Sequence, residues 1–308
     1  MKRPVYFFVS VLLVLLISRV EWGNWFPDLN KQKAADPIQD RKIPLQTIYV
    51  GSRALESHKL SLRSKAAVVL DTKKGEVLFE KNIETELPIA SLTKLMSALV
   101  FLETNPDLDN IVTITIAHAN GSGRSQLRVG ETFTLRDLLH ASLMSSSNRA
   151  TRALARASGL SPLEFVARMN QKAKELGLEN TFFYEPTGLD EKNRSTALDC
   201  ARLLYFALQD SVIASISGKT TYEFVSLDKG KRRHRIGSTN KLLFNSLNVK
   251  GGKTGYNGAS GWCLGTLVQR KDGKEMVAVI LGAPTKHTRF KEIRSIVEWC
   301  IEENKKGS

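Results

Sequence analysis

Cysteine is scarce in this chain of 308 residues: Cys200, Cys263 and Cys300 are the whole supply, odd in number and irregularly spaced. That excludes the disulfide framework of small secreted folds, although a single bridge stays open to a chain in an oxidising compartment. Histidine is nearly as thin, and His58, His118, His140, His234 and His287 are scattered without metal-ligand spacing. No metal and no other cofactor is expected. Acidic residues are outnumbered, 31 against 45 Lys and Arg, for a net charge of +14. The basic residues are spread along the chain, with one local run from Lys229 to Arg235, and no nucleic-acid motif accompanies them. No nucleic-acid partner is therefore expected; attraction to anionic polymers or lipid headgroups and a merely solvated surface are the readings left. Repeats and low-complexity runs are absent as well.

Long apolar runs are lacking, with one exception. Lys2-Arg3 precedes Val5 to Ile17, which is apolar but for Ser10, in the manner of an export signal. The run is short for a membrane span, yet no small-x-small cleavage site stands after it, and Trp22 and Trp25 suit a membrane interface. Residues 1–20 are accordingly expected to be either a signal peptide or an uncleaved N-terminal membrane anchor. Both place the rest outside the cytoplasm, in the periplasm or on the outer face of the membrane. Residues 21–60, polar and carrying Pro37 and Pro44, read as a linker. Residues 61–303, about 245 in number, suit one core plus an inserted subdomain.

The chemistry begins at Lys94, the only charged residue between Glu86 and Glu103. An ammonium in so apolar a run costs several kcal/mol to desolvate unless it is paired or sheds its proton. Ser91 lies three residues earlier, and Leu92, Leu95, Met96 and Leu99 recur at helical spacing, so one helix face carries both side chains. A lysine kept neutral by burial is able to take the proton of a serine nucleophile. Spacing alone proves little, because Ser226–Lys229 and Ser238–Lys241 repeat it in polar sequence. Ser91 is set apart by its apolar context and by two motifs downstream: Ser146-Ser147-Asn148, then Lys253-Thr254-Gly255, the one Lys-Thr-Gly in the chain. Three motifs in this order form the pattern of the serine penicillin-recognising enzymes.

On these residues the chain resembles the low-molecular-mass penicillin-binding proteins, the D-alanyl-D-alanine carboxypeptidases and endopeptidases of peptidoglycan. The resemblance runs from about Lys65 to Glu303 and extends to Pro186-Thr187-Gly188-Leu189, Ser195 to Asp199 and Thr239 to Leu243. Where carboxypeptidases usually read Ser-Gly-Asn-Asp-Ala, this chain reads Ser146-Ser147-Asn148-Arg149-Ala150, nearer to the endopeptidase branch that cuts D-alanyl cross-links. The resemblance implies peptidoglycan peptides as substrates, β-lactams as covalent inhibitors and an acyl-enzyme on Ser91. It assigns proton transfer to Lys94 and Ser146, and substrate binding to Asn148, Lys253, Thr254, Gly255 and Tyr256, with the Tyr256 N–H as second oxyanion donor beside that of Ser91. A serine β-lactamase of the same fold, and a non-catalytic wall-binding protein, are the alternatives. Neither Glu164 nor Glu175 sits in the Glu-x-x-Leu-Asn pattern that supplies a β-lactamase with its deacylating base.

The rest of the sequence predicts an α+β fold. Hairpins are expected around residues 71–75, 228–232 and 271–273, and helices from Thr134, from Ser161-Pro162, from Ser195 or Thr196, and over Phe290 to Glu303. Strands, then helices, then strands and a helix suggest an antiparallel sheet flanked by helices, with an all-helical subdomain inserted.

Overall fold

The computed structural model describes residues 49–50, 60–123, 125–244 and 247–306. The expected signal or anchor, and all of the expected linker but Tyr49, Val50 and Leu60, lie outside the described residues. Among the described residues, no helix is long and apolar enough to cross a membrane.

Strands β1 (Tyr49–Val50), β2 (Ala66–Asp71), β3 (Glu76–Lys81) and the short β4 (Leu87–Pro88) come first. The helical block is next: α1 (Thr93–Glu103), α2 (Ile116–Ala119), α3 (Leu135–Leu143), α4 (Asn148–Ala157), α5 (Pro162–Glu175), α6 (Ala197–Ala207) and α7 (Ser211–Ser217). Three strand fragments interrupt it, β5 (Ile111–Thr113), β6 (Thr132–Thr134) and β7 (Arg194–Ser195). A hairpin of β8 (Thr221–Val225) and β9 (Arg233–Gly237) leads to β10 (Val249–Asn257), β11 (Gly261–Gln269), β12 (Glu275–Ala283) and the closing α8 (Lys286–Lys306).

The main sheet has the order β1-β3-β2-β12-β11-β10. It is antiparallel as expected except at β1, which runs parallel to β3. Side chains alternate across it with period two. Val277, Val279 and Leu281 of β12, with Ala66, Val68 and Leu70 of β2, join the core shared with α1 and α6. Met276, Ala278 and Ile280, with Ala67 and Val69, join the core under Ile293, Ile296 and Val297 of α8. Both faces are covered, which explains the unbroken apolar run of β12.

Helix starts coincide with their caps. Thr134, Ser161 and Thr196 accept from the backbone N–H of Asp137, Glu164 and Asp199, and Ser161 with Glu164 completes a capping box. The last helix begins at Lys286 rather than at Phe290, because the Thr285 hydroxyl accepts from the Thr288 N–H and opens a turn earlier. Helix α1 is buried on every side from Thr93 to Phe101, Lys94 included.

Strand β10 is the outermost of its side of the sheet. Two elements lie against it: α7 at its start, where a Cβ on Gly251 would meet Ser217 Oγ at 2.6 Å, and the turn carrying Ser91 at its end. The three cysteines are buried and free.

Candidate active site

Ser91 sits in a 3-10 turn, Ala90–Leu92, and α1 begins at Thr93, so the expected helix face carries Lys94 while the serine precedes it. Two glycines let other backbone close in on this turn. A Cβ on Gly188 would lie 1.9 Å from the Ala90 carbonyl oxygen, and one on Gly255 would lie 3.2 Å from the Ser91 nitrogen. The Ala90–Ser91 peptide is thus wedged between the 185–190 loop and β10, and Ala90 takes a left-handed φ of 46°, a conformation that a non-glycine residue holds only when its surroundings impose it.

Lys94 is fully buried. Its Nζ lies 2.9 Å from Ser91 Oγ and 2.7 Å from Asn148 Oδ1, and it also bonds the Thr187 carbonyl oxygen. A neutral amine has two N–H groups and one lone pair. Asn148 and Thr187 accept the two, which leaves the lone pair for the Ser91 hydroxyl. Burial lowers the Lys94 pKa from 10.5 to about 7, with the Glu185 charge opposing and Arg152 assisting. Glu185 also shapes the loop that supplies Thr187, accepting from the Thr187 N–H and hydroxyl, the Leu189 N–H and Asn193 Nδ2.

The second motif is arranged by its middle residue. Ser147 caps α4 by accepting from the Ala150 N–H, and this leaves Ser146 and Asn148 to the cleft. Ser146 has a φ of 61°, and its Oγ accepts from Lys253 Nζ at 2.8 Å. Asn148 donates through Nδ2 to the Ser122 carbonyl. Arg149, the residue that departs from the carboxypeptidase pattern, bonds Ser122 Oγ and the Leu127 carbonyl, bracing that loop.

Lys253 is 1% exposed. Its pKa is driven well down by burial, helped by Lys94 and Arg289. Thr254 donates to Thr239 Oγ1 at 2.7 Å. Tyr256 is half exposed and stacks on Trp262 with ring centroids 3.9 Å apart. Ser91, Ser146, Asn148, Thr254, Gly255 and Tyr256 line one cleft of about 450 Å³, with Lys94 and Lys253 buried behind its wall. All eight residues singled out in the sequence therefore converge.

A family described as D-alanyl-D-alanine carboxypeptidase matches residues 53–285, most of the chain. The chain belongs to this family. It is a serine-type DD-peptidase, and thus a hydrolase. The chain is 36% identical to a D-alanyl-D-alanine endopeptidase of Pseudomonas aeruginosa over 243 residues, 77% of each chain. It is 33% identical to the D-alanyl-D-alanine carboxypeptidase DacF of Bacillus subtilis over 251 residues, 80% of this chain and 64% of that one. The crystal structure of the Streptomyces K15 DD-transpeptidase superposes with a TM-score of 0.74 at 26% identity, covering 79% of this chain and 98% of that one.

Sequence reasoning missed parts of this DD-peptidase site. Thr187 contributes through its carbonyl, which no side-chain pattern signals; the family likeness of its segment is the one pointer to it. Glu185 acts through the loop. Arg289 lies on α8 just before the stretch expected to be helical; it is 3% exposed, lines the cleft and donates to the Gly255 and Cys263 carbonyls. Burial lowers its pKa to about 10.

Proposed function

We propose that this DD-peptidase hydrolyses D-alanyl bonds of peptidoglycan stem peptides, cutting cross-links as well as trimming stem ends, outside the cytoplasm. Ser91 attacks the carbonyl of the penultimate D-alanine while Lys94 accepts its proton. The backbone N–H groups of Ser91 and Tyr256 receive the oxyanion, each such donor being worth roughly 3 kcal/mol in the barrier. Ser146, held by Lys253, passes its proton to the leaving amine and is refilled by the proton that Lys94 took from Ser91, which returns Lys94 to its neutral form. Asn148 holds the substrate amide, and Thr254 with the charge of Arg289 holds its carboxylate, Lys253 adding hydrogen-bond donors. Gly255 lets the substrate backbone approach. Water then hydrolyses the acyl-enzyme. The observation that carries this reading is the coordination of Lys94, whose two acceptors other than Ser91 leave its lone pair for the nucleophile.

Three described glutamates that could be considered as the base of a β-lactamase are engaged elsewhere. Glu164 is engaged in the α5 capping box, Glu175 pairs with Arg168, and both Glu185 oxygens are taken by loop donors. Penicillin is expected to react at Ser91 as a slowly released covalent inhibitor. Peptide mass spectrometry after penicillin treatment tests this: a penicilloyl adduct on the Ser91 peptide, missing in Ser91→Ala, is the expected result. Rapid penicillin loss without an adduct would establish the β-lactamase, and neither adduct nor loss the wall-binding protein.

A further inference from the structure

A groove of about 600 Å³ opens beside the cleft, between the turn Lys241–Phe244 and the first turns of α8. Lys241, Lys286, Lys291 and Arg294 stand around it, with Leu242 and Phe290 as apolar surface, and among the described residues no carboxylate lines it. Lys241 and Lys286 also line the catalytic cleft, so the two cavities share a border. That border is on the Lys253–Thr254–Arg289 side of Ser91, the side assigned to the substrate's carboxylate. A stem that ends at its last D-alanine has nothing to place beyond that carboxylate. A cross-linked substrate does, because its leaving residue continues into a second stem peptide that carries free carboxylates of its own.

We infer that this groove receives the leaving stem of a cross-linked substrate, pairing its carboxylates with Lys286, Lys291 and Arg294. The inference rests on the peptidase reading and specifies which substrate the site prefers. Cations flanking an apolar strip suit an anionic peptide: charge draws the stem in and the Phe290 surface covers its aliphatic carbons. Acyl transfer to Ser91 needs none of these groups.

The test compares wild type with Lys291→Glu/Arg294→Glu, two positions that line the groove and not the cleft. Three rates are measured: penicillin acylation, removal of D-alanine from a monomeric pentapeptide stem, and cleavage of a purified D-alanyl cross-linked dimer. The variant should lose about tenfold in kcat/KM on the dimer, mostly through KM, because two favourable ion pairs become repulsions. Acylation and monomer trimming should stay within about twofold. Dimer cleavage by the wild type should weaken with added salt, and the variant should lose that dependence. Equal loss on monomer and dimer would overturn the groove's role, as would unchanged dimer cleavage. Unchanged dimer cleavage with weaker binding to anionic vesicles would assign the groove to a lipid surface instead. A wild type that trims monomer but never cuts dimer overturns the groove alone, whereas one that neither acylates nor hydrolyses overturns the peptidase reading itself.

Discussion

The pH dependence of acylation is the most direct probe of Lys94. Lowering its pKa from 10.5 to about 7 represents on the order of 5 kcal/mol against the cation. Only the neutral amine accepts the Ser91 proton. By simple titration about a tenth of it is neutral at pH 6, about half at pH 7 and about nine-tenths at pH 8. The second-order rate of penicilloyl-enzyme formation, monitored by quenched-flow mass spectrometry, should therefore rise about tenfold from pH 6 to 8 and then level off. An ordinary lysine would be well under ~1% neutral at pH 8, and the rate would climb about tenfold per pH unit past pH 9. That continuous climb would refute the assignment of Lys94 as the base. Asn148→Asp supplies the matched control, because it puts a carboxylate in place of the Oδ1 that lies 2.7 Å from Nζ. An adjacent negative charge favours the protonated amine, so the midpoint should move up by about a unit or more. Activity lost at pH 7 should return near pH 9.

Chemical denaturation at several pH values reads the same amine from the stability side. The unfolded chain holds a Lys94 proton up to about pH 10.5 that the folded chain releases near 7, so stability should rise with pH across that window, and Lys94→Met should reduce the slope, leaving the share of the buried Lys253. Gly188→Ala should cost at least ~2 kcal/mol in denaturant titration and abolish acylation, since φ is 79° there and the new Cβ would overlap the Ala90 carbonyl. Ser147→Ala removes the α4 cap and should lower stability by about 1 kcal/mol; acylation should slow too, because Ser146 and Asn148 flank that cap.

The sequence made legible what is local or chemically improbable. The lone charge at Lys94 in an apolar helix announced a buried amine, and the caps at Thr134, Ser161 and Thr196 marked three helix starts to within a residue. The β2–β3 turn read plainly because Asp71 to Gly75 interrupts two apolar runs. Illegible were features decided by packing between distant segments. The 3-10 turn at Ser91 packs against Gly188 and Gly255, far along the chain, where a side chain at either position would overlap it. The Thr187 carbonyl contributes through a backbone atom that every residue shares. Ser147 rather than Ser146 caps α4, a choice between adjacent serines that only the chain path makes. Arg289 lies just before the stretch read as a helix, with no motif around it, and its place in the site comes from the strand carbonyls it bonds.

An outermost strand normally presents a long row of free backbone donors and acceptors, open to any extended chain. In β10 the elements that crowd the strand approach a face instead: Gly251, Lys253 and Gly255 share one side of the pleat, where they meet Ser217 of α7, Ser146 and the Ser91 turn in succession. The in-plane row is a separate surface. A peptide paired along it would be gauged by its main chain, while its side chains met that crowded face.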